Sequence, residues 1–83
     1  MIKIEHKIDN SGRKYIKYNS TIYIFDINNH PIFMLYFFND IDCDSYFNEE
    51  NTLNSFIFWE CICKEVNIKK YNFALNLLNN LNK

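Results

Sequence analysis

The chain has 83 residues, of which 48% are hydrophobic and 18% aromatic, and its formal net charge is −1. This length admits a single domain, residues 1–83, and the apolar content excludes a disordered chain. No run approaches the roughly 20 apolar residues of a membrane span, and no signal-peptide pattern opens the chain. Three cysteines at uneven spacing make a poor disulfide framework, so we expect a cytoplasmic protein that does not contact membranes.

The first half of the chain predicts an antiparallel meander of three to four strands. Residues 2–8 alternate isoleucine or histidine with charged side chains, the period of two that is typical of a strand. Residues 9–12 collect turn formers, and they include the single glycine. Residues 14–27 continue the strand pattern. Asn19 and Ser20 are either a bulge in one strand or a turn between two strands.

The third strand is predicted over residues 32–38, after a turn at residues 28–31. Nearly every position in it is apolar. A strand of this kind is either buried on both faces or buried on one face and offered to a partner on the other.

The second half of the chain predicts two helices. Apolar residues recur at helical spacing over about 51–66 and again over 68–81, with Asn67 as the N-cap of the second helix. For the first segment a strand through residues 56–63 is the alternative. The expected fold is therefore an α+β domain in which both helices pack on one face of the sheet.

Catalytic and cofactor motifs are absent from the sequence. One glycine cannot make a glycine-rich phosphate loop, and neither His6 nor His30 has a nucleophile motif around it. We therefore predict a protein that is not an enzyme and has no cofactor.

Two patterns come near to metal sites without completing one. Residues 40–44 read D-x-D-x-D, but Ser45 and Asn51 stand where a calcium loop needs glycine and a bidentate glutamate. On a helix, Cys61 and Cys63 would point about 200° apart, too far for one zinc ion. We predict no metal site; the thiols are expected to be buried and free, and Asp44 or Ser45 to cap the following helix.

Charge is divided unevenly along the chain. Residues 1–25 and 51–83 carry a basic excess, whereas residues 26–50 contain six acidic residues and no lysine or arginine. Such a cluster suits a partner protein with a basic groove. The predicted contact residues are the five acidic residues nearest the middle of the chain and an adjacent aromatic anchor: Asp40, Asp42, Asp44, Glu49, Glu50 and Tyr46, with Phe47 as a second anchor.

Two alternative functions remain open at this point. Cations and rings interleave in the N-terminal hairpin, a mixture that suits single-stranded nucleic acid, through Arg13, Lys14, Tyr15, Lys17 and Tyr18. The other alternative is a homodimer or larger homo-oligomer formed through the apolar strand at residues 32–38.

In overall profile the chain resembles the small inhibitors that phages make against host nucleases, including anti-CRISPR proteins. The shared features are small size, a composition rich in residues with A/T-rich codons, a mixed sheet with helices, an acidic patch and no active site. The resemblance implies an inhibitor or adaptor that acts in the cytoplasm of a bacterial host.

Overall fold

The computed structural model describes residues 4–48 and 61–81. Five strands form one antiparallel sheet in chain order, β1 to β5, and the two helices follow β4 and β5 respectively. This confirms the α+β class and the N-terminal meander. The elements are β1 (Glu5–Ile8), β2 (Lys14–Tyr18), β3 (Thr21–Phe25), β4 (Pro31–Phe37), α1 (Asp40–Asn48), β5 (Cys61–Glu65) and α2 (Ile68–Leu81).

The turns before β2 and before β4 share one construction. In the first, Asp9 Oδ1 accepts the backbone N–H groups of Ser11 (2.8 Å) and Arg13 (3.0 Å), while Gly12 takes a φ of +86°. The positive φ favours glycine at this position, and a Cβ on Gly12 would in addition make a tight contact of 3.1 Å with the Ile27 side chain.

The turn before β4 uses Asp26 in the same way. Its Oδ1 accepts the N–H groups of Asn28 and His30, both at 2.9 Å, and Asn29 adopts a φ of +65°. Asparagine tolerates this left-handed conformation, which explains why the turn forms without a glycine.

Asn19 and Ser20 form a turn and not a bulge. Both have positive φ, 52° and 61°, the pattern of a two-residue hairpin turn that matches the twist of its strands. Residues 14–27 therefore contain two strands, β2 and β3, paired from Lys14 opposite Phe25 to Tyr18 opposite Thr21.

The helices cover opposite faces of the sheet, so the prediction that both lie on one face is wrong. On one face, side chains of β2, β3 and β4 pack with three residues of α1: Cys43, Tyr46 and Phe47. On the other face, the alternate residues of the same strands pack with Ala74, Leu77 and Leu78 of α2. The cause is that both the odd-numbered and the even-numbered residues of the central strands are apolar, and one layer of helices cannot cover two faces of a sheet.

The helix predicted over 51–66 is wrong for the part that the structure describes. Residues 61–65 form β5, which pairs antiparallel with β4 from Cys61 opposite Phe37 to Glu65 opposite Phe33. Residues 51–60 lie outside the described residues. A short apolar run fits either a strand or a helix, and here pairing with β4 decides the outcome.

The helix α1 was not predicted, because residues 40–48 lie between the strand predicted to end at residue 38 and the helix predicted to begin at about residue 51. Asn39 caps it: the Asp42 N–H donates to Asn39 Oδ1 (2.7 Å), and Asn39 Nδ2 donates back to the Asp42 carboxylate (3.2 Å). The helix therefore begins after Asn39. The residues expected to be caps, Asp44 and Ser45, were assigned to the helix predicted over 51–66 and instead lie inside α1.

The final helix and its cap are confirmed. The Lys70 N–H donates to Asn67 Oδ1 (3.0 Å), and the Tyr71 N–H donates to the Asn67 carbonyl (2.8 Å). Asn67 therefore satisfies amide groups that the first turn of α2 would otherwise leave unbonded.

Substituting Asp9 should change how stability depends on pH. Burial alone would raise the pKa of Asp9, but hydrogen bonds from the Tyr15 hydroxyl (2.8 Å) and from the Arg13 and Ser11 amides lower it. A carboxyl with a lowered folded-state pKa contributes stability above its unfolded pKa, and that contribution disappears as the pH falls through the folded value. Asp9→Asn should therefore destabilise the protein by about 1–2 kcal/mol at pH 7.

The measurement is urea unfolding of wild type and Asp9→Asn from pH 7 down to pH 2. The stability difference should shrink below about pH 4, where the carboxyl starts to be protonated in the unfolded chain. Tyr15→Phe, which removes only the hydroxyl, should show a smaller loss over the same interval. A difference that stays constant with pH would contradict the assigned role of Asp9.

Candidate functional site

The start of α1 presents two large apolar side chains beside two carboxylates. Phe38 is 68% exposed and Ile41 is 76% exposed, and they alternate in sequence with Asn39, Asp40 and Asp42. We call this set, residues 38–42, the helix-start surface. Large apolar side chains at such exposure, rimmed by charge, are typical of contact sites for other proteins.

The helix-start surface is held in place from two sides. The reciprocal bonds of Asn39 and Asp42 fix the first turn of α1. The Ser20 hydroxyl hydrogen-bonds the Asp40 carboxylate, and the Ser20 carbonyl accepts the Phe37 N–H at 3.0 Å. The turn between β2 and β3 is thereby tied to the segment that enters α1.

The aromatic anchors expected from the sequence are buried. Tyr46 has no exposed surface, and its ring centroid lies 5.5 Å from that of Phe37; Phe47 is also in the core. Both side chains lie on the sheet-facing side of α1, so neither can be an exposed anchor. The exposed large apolar side chains in this part of the chain are those of Phe38 and Ile41. The signal that could have found them is the Asn39 cap, because it fixes which helix positions face the sheet.

The acidic residues of the predicted site divide by role. Asp40 and Asp42 both belong to the helix-start surface, but Asp40 is exposed, whereas Asp42 is half-buried and also forms part of the cap. Asp44 lies on the sheet side and forms an ion pair with Lys17, which also contacts Glu5 Oε2 at 2.8 Å. Glu49 and Glu50 lie outside the described residues.

Lys17 is the centre of an ion-pair cluster under α1. Its side chain is only 19% exposed, between Glu5 and Asp44, and its ammonium lies 5.9 Å from the centre of the Phe47 ring. Burial opposes the charged form, but hydrogen bonds to Asp44 and Glu5 outweigh it, so the pKa of Lys17 is raised. Lys17, which lies on β2, thus links α1 through Asp44 to β1 through Glu5.

The residues predicted to bind nucleic acid do not share one surface. Tyr15 is fully buried with its hydroxyl on Asp9, and Lys17 is engaged as described above. Lys14 and Tyr18 lie on the opposite face, where Lys14 Nζ contacts Asn29 Oδ1 at 2.6 Å and the Tyr18 ring packs 5.6 Å from that of Phe73. Successive residues of a strand point to opposite faces, so each face of β2 carries only one of the two lysines and one of the two tyrosines.

Arg13 completes the predicted nucleic-acid set and lies at the turn that precedes β2. Its guanidinium is 3.8 Å from the Asp9 carboxylate. With one cation paired at the turn and the others divided between two faces, the described hairpin offers no continuous basic and aromatic strip.

The strand that was expected to mediate self-association is internal. β4 pairs with β3 on one side and with β5 on the other, and side chains from both of its faces lie in the two cores. Its edge is therefore not open to a second copy.

Cys61 and Cys63 lie on a strand, so their side chains point to the same face and not 200° apart. Both pack against the core that contains Cys43. Burial raises the pKa of Cys43 to about 12 and also raises those of Cys61 and Cys63. His6, by the register of β1, lies on the other face. Within residues 4–48 and 61–81, no group of three or more His, Cys, Asp or Glu side chains is placed to hold a metal.

No helix in the described part of the chain combines the length and apolarity needed to cross a membrane. No protein-family model, no curated protein and no solved structure matches the chain.

The three thiols should react slowly with alkylating reagents at neutral pH. A raised pKa keeps each thiol protonated, and the thiolate is the reactive form. We expect Cys43 to be the slowest, because it is fully buried. Iodoacetamide labelling followed by peptide mass spectrometry, with and without urea, measures the order. Rapid labelling of Cys43 in the folded protein would contradict its placement.

Replacing Lys17 should destabilise the fold. In Lys17→Met the stem length is retained, but Glu5 and Asp44 lose the cation between them, so we expect a loss of about 1–2 kcal/mol. Lys69→Met, at an exposed position of α2, is the matched control and should change stability by less than about 0.5 kcal/mol. Urea unfolding at low and high salt measures both. Equal stability of the two variants would show that the cluster contributes nothing.

Proposed function

We propose that the chain is a non-enzymatic protein-binding module that docks its helix-start surface into a basic groove of a partner protein. The observation that carries the proposal is the exposure of Phe38 and Ile41 beside Asp40 on a capped, fixed helix start. In its narrower form the partner is a nucleic-acid-binding enzyme, such as a host nuclease, and the module is an inhibitor of the phage or mobile-element type.

In the proposed complex, the apolar side chains and the carboxylates contribute to binding in different ways. Burying a side chain such as Phe38 or Ile41 is worth about 1.5–3 kcal/mol each, which makes them the main source of affinity. The carboxylates contribute orientation and association rate against a basic partner. Because the Asn39 cap already fixes the segment, binding has little conformational entropy to overcome.

The proposal that the partner is a nucleic-acid-binding enzyme is based on the negative charge of the helix-start surface. A groove that binds nucleic acid is lined with lysine and arginine to contact phosphates. The carboxylates of Asp40 and Asp42, two positions apart, offer negative charge to such a groove, and residues 26–50 carry no lysine or arginine that would oppose it. The expected consequence is competition between the module and nucleic acid for one partner.

The test begins with affinity capture of partners on the immobilised chain and continues with the purified partner. In calorimetry, Phe38→Ser combined with Ile41→Ser should weaken binding at least about tenfold, since each lost anchor costs 1 kcal/mol or more. Asp40→Lys should slow association and reduce its dependence on salt. Asp42 is left intact because its substitution would also remove the cap.

Ile27→Ser is the matched control. Ile27 is 71% exposed, so it is a similarly exposed apolar residue, but it lies in the turn before β4. We expect it to bind like wild type. Binding unchanged by the Phe38 and Ile41 substitutions would overturn the proposed surface. Binding that a nucleic acid cannot displace would retain the surface and reject the narrower form.

A further inference from the structure

Strand β1 forms one of the two edges of the sheet in the described part of the chain. Within residues 4–48 and 61–81, β1 has a paired strand on one side only, which is β2. Ile8 is 58% exposed and His6 is exposed beside it. An open strand edge presents unpaired N–H and C=O groups that can pair with another chain.

The hydrogen bonds identify which residues face the open side. The Asp9 N–H donates to the Arg13 carbonyl at 2.9 Å, so the backbone N–H of Asp9 points towards the chain that enters β2. Bonding alternates along an antiparallel ladder, so Lys7 and Glu5 also bond towards β2. Ile4, His6 and Ile8 therefore direct their backbone groups to the open side.

A second copy of β1 can pair with this edge in a restricted set of registers. In a two-fold pairing, residues whose backbone groups face the open side must lie opposite each other. The residue on the two-fold axis, which lies opposite itself, can then be Glu5, His6 or Lys7. Centres at Glu5 or Lys7 place like charges directly opposite each other, which is unfavourable. The centre at His6 places Glu5 of each copy opposite Lys7 of the other, and Ile4 opposite Ile8.

We propose that the chain forms a homodimer by antiparallel pairing of β1 with β1 of a second copy, centred on His6. The dimer contains two Glu5 to Lys7 pairs and two Ile4 to Ile8 pairs, and it joins the two sheets into one. Lysine on an edge strand ordinarily discourages pairing, but in this register it meets an acid. The interface is separate from the helix-start surface.

Sedimentation velocity of the full chain over a wide concentration range tests the proposal. Wild type should show a monomer–dimer equilibrium. His6→Pro removes the outward N–H at the centre without removing a bond to β2, so it should be monomeric. His6→Thr keeps the N–H and should dimerise like wild type. Circular dichroism confirms that both variants are folded.

Charge provides a second, independent variant. Lys7→Glu converts both cross-strand pairs to like charges and should weaken dimerisation about tenfold. Lys69→Glu makes the same charge change on α2 and should leave dimerisation unchanged. A wild type that stays monomeric throughout, or a Lys7→Glu variant that dimerises as tightly as wild type, would overturn the proposal. Neither result affects the proposed partner surface, which the Phe38 and Ile41 variants test separately.

Discussion

The central strands of this protein are apolar on both faces, and most of the architecture follows from that constraint. Ile22 and Leu35 point to one side of the sheet, and Tyr23 and Met34 to the other. Each face must lose its contact with water, so a helical layer is required on either side. Within residues 4–48 and 61–81, these layers are one nine-residue helix and one fourteen-residue helix.

This constraint also determines what α1 can offer to a partner. The helix must direct Cys43, Tyr46 and Phe47 to the sheet, and an ion pair between Asp44 and Lys17 secures the same side. The apolar residues at its start are then left facing outwards. The exposed position of Ile41 is thus a geometric result of burying the residues that follow it, because the Asn39 cap sets the phase of the helix. Phe38 precedes the cap and follows Phe37, which is buried in the core.

Period-two alternation and turn chemistry were sufficient to predict the α+β class and a meander of three to four strands, because Gly12 and the asparagines mark the turns. They left open whether Asn19 and Ser20 divide residues 14–27 into two strands. The last helix was predictable from its apolar spacing and from Asn67. Residues 61–65 were not predictable, since a short apolar run depends on pairing with β4 for its conformation. For the site, the sequence indicated the acidic segment but led to Tyr46, and not Phe38, as the exposed aromatic residue. The many carboxylates of residues 40–44 suggested a loop, so the positions of α1 that face the sheet were not recognised. Whether that segment binds a partner stays a prediction.

The sequential order of the sheet has a consequence for folding kinetics. Neighbours in the sheet are neighbours in the chain, and three tight hairpins bring β1 to β4 together with little loop-closure entropy. Such local topology favours rapid folding. The longest connection in the sheet runs from Phe37 to Cys61, and it contains α1. The joining of β5 to the sheet is therefore the slowest pairing to be expected, and β4 would expose an apolar edge until it is complete.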